Sequence, residues 1–387
     1  MLGDSALSGS GAAPACFDVV IAGAGIVGVA CAWQLTRAGL RVAIADSAFV
    51  GGGATAAGMG HIVVLDDSDA QFRLTAWSRQ LWRDLRPELP ASAEYVECGT
   101  LWVASGGEEM AEASRKREYA ASRGVAATLL DAGELAALEP HLRPGLAGAL
   151  LVPHDGVVYA PAAARWMLAQ ATAHGATYRQ GQRVESFGAG SARLSDGTRW
   201  SAAALVNAAG VDAPRLTPGL PVQSRKGHLA ITDREPGFIA HQIVELGYSK
   251  SAHSSTADSV AFNLCPRPTG QILVGSSRQF GVTNAVVERP VLEAMLKRAL
   301  AYMPDLGNLS AVRCWTGFRA ATPDNLPLIG PHPSLPGVWI AAGHEGLGIT
   351  TSLGTAHLLT ALILGNSCAI PAHPYLPARL STEVGRA

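Results

Sequence analysis

Three glycines and an aspartate near the start of the chain have the spacing of a nucleotide-binding turn. Gly23, Gly25 and Gly28 follow an apolar run, and Asp46 stands about 20 residues further on. At this spacing the first glycine permits a tight turn, the second lets the backbone approach a pyrophosphate, and the third lets a helix pack against a strand. The carboxylate can accept hydrogen bonds from ribose hydroxyls and would repel a 2′-phosphate. The four residues predict a site for an unphosphorylated ADP-ribose and leave the choice between NAD and FAD open.

The elements that must position these residues are predicted by the same stretch, residues 19–46. An apolar run at 19–21 suits a buried parallel strand, a helical pattern follows the third glycine, and VAIAD at 42–46 suits a second strand. The helix N-terminus would then point at the phosphates. The following run, GGGATAAGMGH at 51–61, is too rich in glycine for a regular element. Its small residues are typical of a backbone against which a flat ligand lies.

The composition of the whole chain excludes several classes of protein. A length of 387 residues predicts two domains, or one large core with an inserted second one. With 30 basic against 31 acidic residues, no surface for nucleic acid or an anionic membrane is implied. No run reaches the roughly 18 apolar residues that a membrane span needs. The six cysteines are scattered without a CxxC pair or metal-ligand spacing. We therefore expect a cytoplasmic protein with reduced thiols and no metal site.

Apolar periodicity along the chain predicts an α/β fold, α+β overall, with a Rossmann-like domain and an antiparallel-sheet domain. Helices are expected at 68–86, 108–122 and near 290–303, and β-rich runs fill much of 219–310. The strand at 204–210 is expected to return to the nucleotide-binding sheet. The segments assigned to the nucleotide-binding domain are 16–90, 146–218 and 311–380, those assigned to the substrate domain are 91–145 and 219–310, and residues 1–15 are assigned to a disordered tail.

Five motifs in this chain resemble those of the D-amino-acid oxidase (DAO) family of FAD enzymes, in particular its glycine-oxidase and D-hydroxyproline-dehydrogenase branch. The resemblance covers nearly the whole chain beyond the N-terminal tail. The motifs are GAGIVG at 23–28, AAGMGH at 56–61, NAAG at 207–210, WTGFRAATPDNLPLIG at 315–330 and AAGHEGLGIT at 341–350.

The resemblance implies that the cofactor is FAD. The turn at 343–350 precedes a helix, and the positive end of that helix could stabilise the negative charge of a reduced flavin, a need that nicotinamide lacks. Related sarcosine oxidases tether the flavin through a cysteine whose position is Gly317 here, so FAD is expected to bind non-covalently. The residues expected to contact FAD are Gly23, Gly25, Ile26, Val27, Gly28, Asp46, Ser47, Gly53, Ala54, Thr55, Ala57, Gly58, Met59, Val184, Ala208, Ala209, Gly210, Gly343, His344, Glu345, Gly346, Leu347, Gly348, Ile349 and Thr350.

The resemblance also assigns Arg319 to the substrate, over the face of the flavin. Its planar guanidinium could hold a carboxylate through two parallel hydrogen bonds, although an arginine in a strand is also typical of a surface salt bridge. Glycine oxidases carry an arginine and a tyrosine where this chain has Gly346 and Asn263, so the pocket differs from theirs. Asn263, His61 and His344 are further candidates for substrate or flavin contacts. Tyr248 and His253 are candidates for a lid.

The reaction implied by the resemblance is oxidation of an amino acid's Cα–N bond to an imine, with hydride passing to flavin N5. The favoured substrate is cis-4-hydroxy-D-proline. D-proline, other D-amino acids, sarcosine and glycine remain open, including the role of the glycine-oxidising subunit of hydrogen cyanide synthase. A non-catalytic flavin-binding subunit and an NAD-dependent dehydrogenase are alternatives from other classes. The electron acceptor, partner subunits, oligomeric state and a second flavin at an interface are left open.

Overall fold

The computed structural model describes residues 15–64, 68–247 and 258–380, and in these residues the strands form two large sheets and a small one. Tyr248 and His253, the candidates for a lid, lie outside the described residues, as do residues 1–14 of the expected tail. Strands and helices are numbered in chain order below.

The first sheet carries the nucleotide-binding turn and is parallel at its centre. Its strands run in the order β17-β18-β11-β1-β2-β8; β10 pairs with β11 and β9 with β10. All pairs from β18 to β8 are parallel, whereas β17 is antiparallel to β18. The strands are β1 (Ala15–Ala22), β2 (Val42–Asp46), β8 (Thr177–Gln180), β9 (Val184–Gly188), β10 (Ser191–Leu194), β11 (Arg199–Asn207), β17 (Leu328–Pro331) and β18 (Val338–Ala342).

The second sheet is mixed, with the order β16-β12-β15-β14-β13-β4-β6-β5. Every neighbouring pair in it is antiparallel except β13 with β4. Its strands are β4 (Thr100–Ala104), β5 (Thr128–Asp131), β6 (Gly148–Val152), β12 (Gln223–Thr232), β13 (Gln242–Glu245), β14 (Ser259–Pro266), β15 (Ile272–Phe280) and β16 (Ala311–Ala321). A two-stranded sheet pairs β3 (His61–Ile62) with β7 (Gly156–Val157).

Helices cover the sheets and complete their cores. In the described residues the α-helices are α1 (Ile26–Arg37), α2 (Gly53–Ala57), α3 (Asp69–Leu85), α4 (Gly107–Ala121), α5 (Ala132–Leu138), α6 (Ala160–Ala173), α7 (Ala213–Leu216), α8 (Arg289–Tyr302) and α9 (Gly348–Leu364). Short 3-10 helices lie at Arg86–Glu88, Ala91–Ala93, Gly210–Asp212, Pro304–Asn308, His373–Tyr375 and Pro377–Leu380. No helix in the described part of the chain is long and apolar enough to span a membrane.

The two faces of the first sheet are buried in separate cores, as the alternation of a strand requires. Val19 and Ile21 of β1 pack with side chains of α1, α6 and α9 on one face, while Val20 and Ala22 belong to the core on the other face. Both faces of a parallel sheet must be covered in this way, which explains the continuous apolar run at 19–22. In the second sheet, side chains such as Phe262 pack against α8.

The observed elements agree with most of the expected ones and differ in a few places. Helices α3, α4 and α8 match the predicted helices within one or two residues, and β11 lies beside β1 as expected. β6 and β16 pair within the second sheet, so the predicted domain boundaries at 146 and 311 must be corrected there. The predicted tail is also one residue too long, because β1 starts at Ala15.

A further difference concerns the glycine-rich run at 51–61, which contains the short helix α2 and the strand β3. Contacts with distant residues explain this helix. The Thr55 hydroxyl accepts a hydrogen bond from the backbone N–H of Ile26 at 3.0 Å. The other end of α2 packs on β16, where a Cβ built on Gly317 would come within 2.4 Å of the Cβ of Ala57. Neither contact is visible in the local sequence.

Candidate active site

A cavity of about 640 Å³ lies at the carboxyl ends of the first sheet and is closed on one side by the second sheet. It is lined by the ends of β1, β2, β11 and β18 and by residues of β12 and β14–β16. The carboxyl ends of parallel strands are where ligands bind in folds of this kind. Of the residues expected from the sequence to contact FAD or substrate, all line this cavity except Gly28, Leu347 and Thr350.

The three glycines of the first turn have distinct steric roles. Gly23 adopts φ +104°, and a Cβ there would lie 2.5 Å from the carbonyl oxygen of Ala208. A Cβ on Gly28 would lie 2.0 Å from the carbonyl oxygen of Gly23, so this glycine lets α1 pack on the turn. Gly25 has only the Thr55 hydroxyl nearby, at 3.4 Å, and it faces the cavity. These roles agree with those expected of a turn that receives a pyrophosphate.

Asp46 holds the turn in place and also faces the cavity. Its Oδ2 accepts a hydrogen bond from the backbone N–H of Ala24 at 2.7 Å, and its Oδ1 accepts one from Ala48 at 2.8 Å. A carboxylate has about four acceptor sites. The two backbone bonds therefore leave acceptor capacity for ribose hydroxyls, the role expected for this residue.

The second glycine turn brings the N-terminus of α9 to the cavity. Gly343 adopts φ +81°, and the helix begins at Gly348. His344 is buried, and its Nε2 shares a hydrogen bond of 3.0 Å with the hydroxyl of Thr355. Burial lowers the pKa of His344 to about 4, so this imidazole is neutral at physiological pH.

Thr350 serves the structure rather than the cavity. Its hydroxyl donates to the carbonyl oxygen of His61 at 2.9 Å and accepts from the N–H of Val63 at 3.3 Å. These bonds tie α9 to β3. Thr350 thereby fixes His61, the neighbouring cavity residue, in its position.

Two buried polar atoms in the cavity wall have no hydrogen-bond partner among the residues that the structure describes. They are Oδ1 of Asn263, whose residue is 6% exposed, and Nε2 of His61. Burial lowers the pKa of His61 to about 4, so its ring is neutral as well. Buried polar atoms are nearly always paired in proteins. These two therefore indicate that a polar ligand completes the site.

The residues present fit FAD. The two glycine turns would hold it, with Asp46 at the ribose, the α1 N-terminus at the pyrophosphate and the α9 N-terminus at the flavin. No cysteine is found among the described residues that line the cavity, which fits a cofactor held without a covalent bond. The described residues also contain no group of acidic, histidine and cysteine side chains able to hold a metal ion.

Arg319 lies in the wall formed by the second sheet. Its Nη1 donates to the carbonyl oxygen of Ser277 at 2.9 Å. Glu345, in the turn before α9, lies 3.2 Å from Nε of Arg278 and 3.9 Å from Nη1 of Arg225. Burial raises the pKa of Glu345, but the positive charges of Arg278, Arg319 and Arg225 outweigh it and lower the pKa to about 2. The cluster therefore has three cations and one anion.

Sequence reasoning did not identify Arg225 and Arg278, because single arginines in strands resemble surface residues. Several other residues that line the cavity were not expected from the sequence either. They are Arg183, Glu185, Arg215, Gly227, Leu229 and Ser276. Arg183, Glu185 and Arg215 belong to the first-sheet side of the molecule, around β9 and α7. The remaining three belong to β12 and β15, whose contact with the cavity arises only when the two sheets meet.

Comparisons with known proteins agree with this geometry. The family model "FAD dependent oxidoreductase" (DAO) matches residues 18–362. The glycine oxidase of Geobacillus kaustophilus is 28% identical over 384 residues, which cover 95% of this chain and 98% of that protein. Its crystal structure superposes with a TM-score of 0.84 over 94% of this chain and 99% of that one, at 27% identity.

Two other relatives have different names. The hydrogen cyanide synthase subunit HcnC of Pseudomonas aeruginosa is 27% identical over 422 residues, with 95% of this chain and 97% of that protein covered. The D-amino acid dehydrogenase of Paramagnetospirillum magneticum is 27% identical over 432 residues, with 91% and 96% covered. The chain belongs to the DAO family of FAD-dependent oxidoreductases, enzymes that act on the C–N bonds of amino acids.

Proposed function

We propose that this enzyme oxidises the Cα–N bond of a D-amino acid or cyclic imino acid to an imine, and that its substrate is cis-4-hydroxy-D-proline. The observation that carries the proposal is the position of Arg319, a guanidinium in the cavity wall, together with the unpartnered acceptor atom of Asn263 in the same cavity. The first group suits a carboxylate and the second suits an N–H or O–H donor.

The chain's own residues bind and orient the substrate in this proposal. Arg319 holds the carboxylate through parallel N–H bonds, which fixes the direction of the Cα–H bond. Asn263 Oδ1 accepts a hydrogen bond from the substrate, and the neutral His61 ring offers a second polar contact. The chemistry that bound FAD supplies is the acceptance of a hydride equivalent from the substrate carbon. The positive end of α9 favours the negative charge that accompanies reduction.

Asn263 suits a substrate that brings an N–H or O–H donor, and the proposed substrate brings both. Leaving a buried acceptor unpaired costs about 1–3 kcal/mol, so a substrate that supplies a donor there gains affinity over one that does not. cis-4-Hydroxy-D-proline has donors on the ring nitrogen and on the 4-hydroxyl group attached to the ring. The motifs GMGHIVVLDDS and GHEGLGITTSL also resemble the D-hydroxyproline dehydrogenase branch most.

Glycine or sarcosine oxidation is the alternative, because the relatives with the names glycine oxidase and hydrogen cyanide synthase subunit cover nearly the whole chain. The word subunit in the latter name also supports a partner subunit for this enzyme. The scattered cysteines of the chain support a cytoplasmic location.

The substrate is tested by anaerobic reduction of the purified holoenzyme. We expect cis-4-hydroxy-D-proline to bleach the visible flavin absorbance faster than D-proline, D-alanine, sarcosine, glycine or the 4-hydroxy-L-proline epimers. Bleaching by glycine or sarcosine alone would overturn the proposed substrate. An enzyme that stays yellow with every amino acid would overturn the proposed activity and favour a non-catalytic flavin-binding subunit.

Arg319 is tested by substitution. We expect Arg319→Ala to lower kcat/KM by the equivalent of about 2–5 kcal/mol, as when a buried charge loses its partner. The control is Arg313→Ala, on the same strand, because Arg313 is exposed beside Trp315 and does not line this cavity. An unchanged kcat/KM in Arg319→Ala would contradict the role given to this residue.

A further inference from the structure

The side chain of Arg319 crosses a neighbouring strand and forms a hydrogen bond on its far side. It lies on β16, directly opposite Arg225 of β12, and its Nη1 donates to the carbonyl oxygen of Ser277 on β15 at 2.9 Å. The order of these strands in the sheet is β16-β12-β15. Neighbouring strands are about 4.8 Å apart, so the side chain must pass over the whole width of β12.

The crossing point is Gly227. A Cβ built on Gly227 would lie 2.4 Å from Nη1 of Arg319 and 2.9 Å from both Cζ and Nη2. No other group comes as close to that position, and Gly227 does not have a positive φ. The backbone conformation at 227 is therefore open to alanine. The three atoms nearest to the added Cβ all belong to the guanidinium of Arg319.

The irregular register between β12 and β15 explains why the Ser277 carbonyl is available to accept a hydrogen bond from Arg319. It shifts between Lys226 and Ala230, so this irregular part of the pair includes Gly227. In the same part the Ser277 hydroxyl accepts a hydrogen bond from the N–H of His228 at 2.8 Å, and the Ser277 carbonyl accepts one from Arg319. The strand irregularity and the missing side chain together form a groove for one guanidinium.

Gly346 borders the other side of the Arg319 side chain. A Cβ on Gly346 would lie 3.8 Å from Nε and 3.9 Å from Cδ of Arg319, an ordinary van der Waals contact. The carboxylate of the adjacent Glu345 adds an attractive charge. A guanidinium has five N–H donors, and one of them is used by Ser277. Within the described residues the guanidinium makes no other hydrogen bond, so its other donors remain for the cavity.

We propose that Gly227 is a positioning residue for Arg319: its bare backbone and the Ser277 carbonyl fix the plane of the guanidinium that faces the substrate carboxylate. This inference rests on the proposed role of Arg319. It makes the absence of a side chain at position 227 a requirement for carboxylate recognition, although Gly227 itself supplies no group to the substrate.

The test is a double-mutant cycle on the holoenzyme, with Gly227→Ala, Arg319→Ala and the double variant. The probes are pyrrole-2-carboxylate and pyrrole-2-carboxamide, whose binding is followed by the change in the visible flavin spectrum. An added Cβ displaces the end of a flexible side chain, so we expect FAD content and Tm to be kept. We expect Gly227→Ala to weaken carboxylate binding about tenfold or more and carboxamide binding less than about twofold.

The double variant separates a positioning role from a merely structural one. Without Arg319, the Gly227→Ala change should have no further effect on carboxylate binding. Equal losses for both probes, or a full additional loss in the Arg319→Ala background, would overturn the inference. If Arg319→Ala itself leaves carboxylate binding unchanged, the proposed function of Arg319 fails. If only Arg319→Ala weakens binding, the positioning role of Gly227 alone fails.

Arg319→Lys supplies a second variant if Gly227→Ala does not retain FAD. A lysine ammonium keeps the charge in the groove but cannot offer parallel N–H bonds in a fixed plane. We expect carboxylate binding to weaken about tenfold or more with FAD content unchanged. Binding equal to that of the wild type would show that the fixed plane is unnecessary and would overturn the inference.

Discussion

Glu345 remains ionised in the cavity wall although burial disfavours its charge. Its side chain is 11% exposed and pairs with Arg278, and its Oε2 accepts a hydrogen bond from the N–H of Gly346. Without the Glu345 carboxylate, three arginines would face one another. A buried ion pair adds little over an apolar pair, but removing one partner is costly. Glu345 therefore keeps the arginine cluster compatible with the fold.

We expect Glu345→Gln to lower the free energy of unfolding at pH 7 by about 3–5 kcal/mol. The native pKa of Glu345 is lowered from 4.5 to about 2, so its contribution is present above pH 4.5 and is lost as the pH falls toward 2. The difference between wild type and variant in urea unfolding should accordingly shrink as the pH is lowered below 4.5.

The control for this prediction is Glu293→Gln. Glu293 is 48% exposed in an ion pair with Arg289 on α8, and such pairs contribute about 0–1 kcal/mol. A loss in Glu345→Gln no larger than that of the control would contradict the role of Glu345.

At the scale of elements, an ion pair joins α3 to the turn between β6 and β7. Nη1 of Arg79 lies 2.9 Å from Oδ1 of Asp155, with the two side chains 9% and 0% exposed. Burial raises the pKa of Asp155 to about 6, and the charge of Arg79 opposes the rise. The native state therefore binds more protons than the unfolded chain between pH 3.8 and 6. Stability should fall as the pH rises through this window.

We expect Arg79→Met to lower the free energy of unfolding by about 3–5 kcal/mol at pH 8, because the Asp155 carboxylate is left buried without its cation. The loss should be smaller at pH 5, where Asp155 can take up a proton. Urea unfolding at both pH values measures the difference.

The matched control on the same helix is Arg73→Ala. Arg73 is 53% exposed in its pair with Asp69, so a change of about 0–1 kcal/mol is expected at both pH values. Equal losses for Arg79→Met at pH 5 and pH 8 would contradict the assigned protonation of Asp155.

The sequence indicated the helix of Arg79 but not the environment of the residue. The pattern at 68–86 predicted an amphipathic helix, and α3 forms there. Arg79 follows Phe72 by seven positions and precedes Trp82 by three, so it shares their buried face, and its partner comes from a segment 76 residues away. Periodicity describes one face of an element. It contains no information about which charged group another element brings to that face.

At the scale of the whole molecule, the cavity wall is completed only when the two sheets meet. The turns of the first sheet line one part of the cavity, and β12, β15 and β16 line another part. A ligand that contacts both sheets binds the native state and not the unfolded chain. FAD therefore contributes to the stability of the whole protein through mass action.

We expect removal of FAD to lower Tm and its addition to restore it. Free FAD at a hundredfold excess over Kd stabilises the native state by about 2.7 kcal/mol. We expect non-covalent binding, so acid precipitation of the holoenzyme should release the yellow colour into the supernatant. Colour retained in the precipitate, or a Tm independent of FAD, would contradict this prediction.

The sequence by itself determined the nucleotide-binding turn, the family and the bounds of α3, α4 and α8 to within one or two residues. These follow from short-range requirements: the spacing of Gly23, Gly25 and Gly28, and the apolar runs beside them, reflect contacts within one βαβ unit. The candidate roles of Arg319 and Asn263 came from motif resemblance, and the cavity contains both residues.

Only the tertiary structure decided what surrounds those residues. The arginine cluster around Glu345, the unpaired Asn263 oxygen and the groove at Gly227 all depend on contacts between strands far apart in the chain. Gly227 is one of 43 glycines, and nothing in its local sequence sets it apart. Its significance comes from a side chain 92 positions later that crosses it, because strand order and register are set by the packing of the whole sheet.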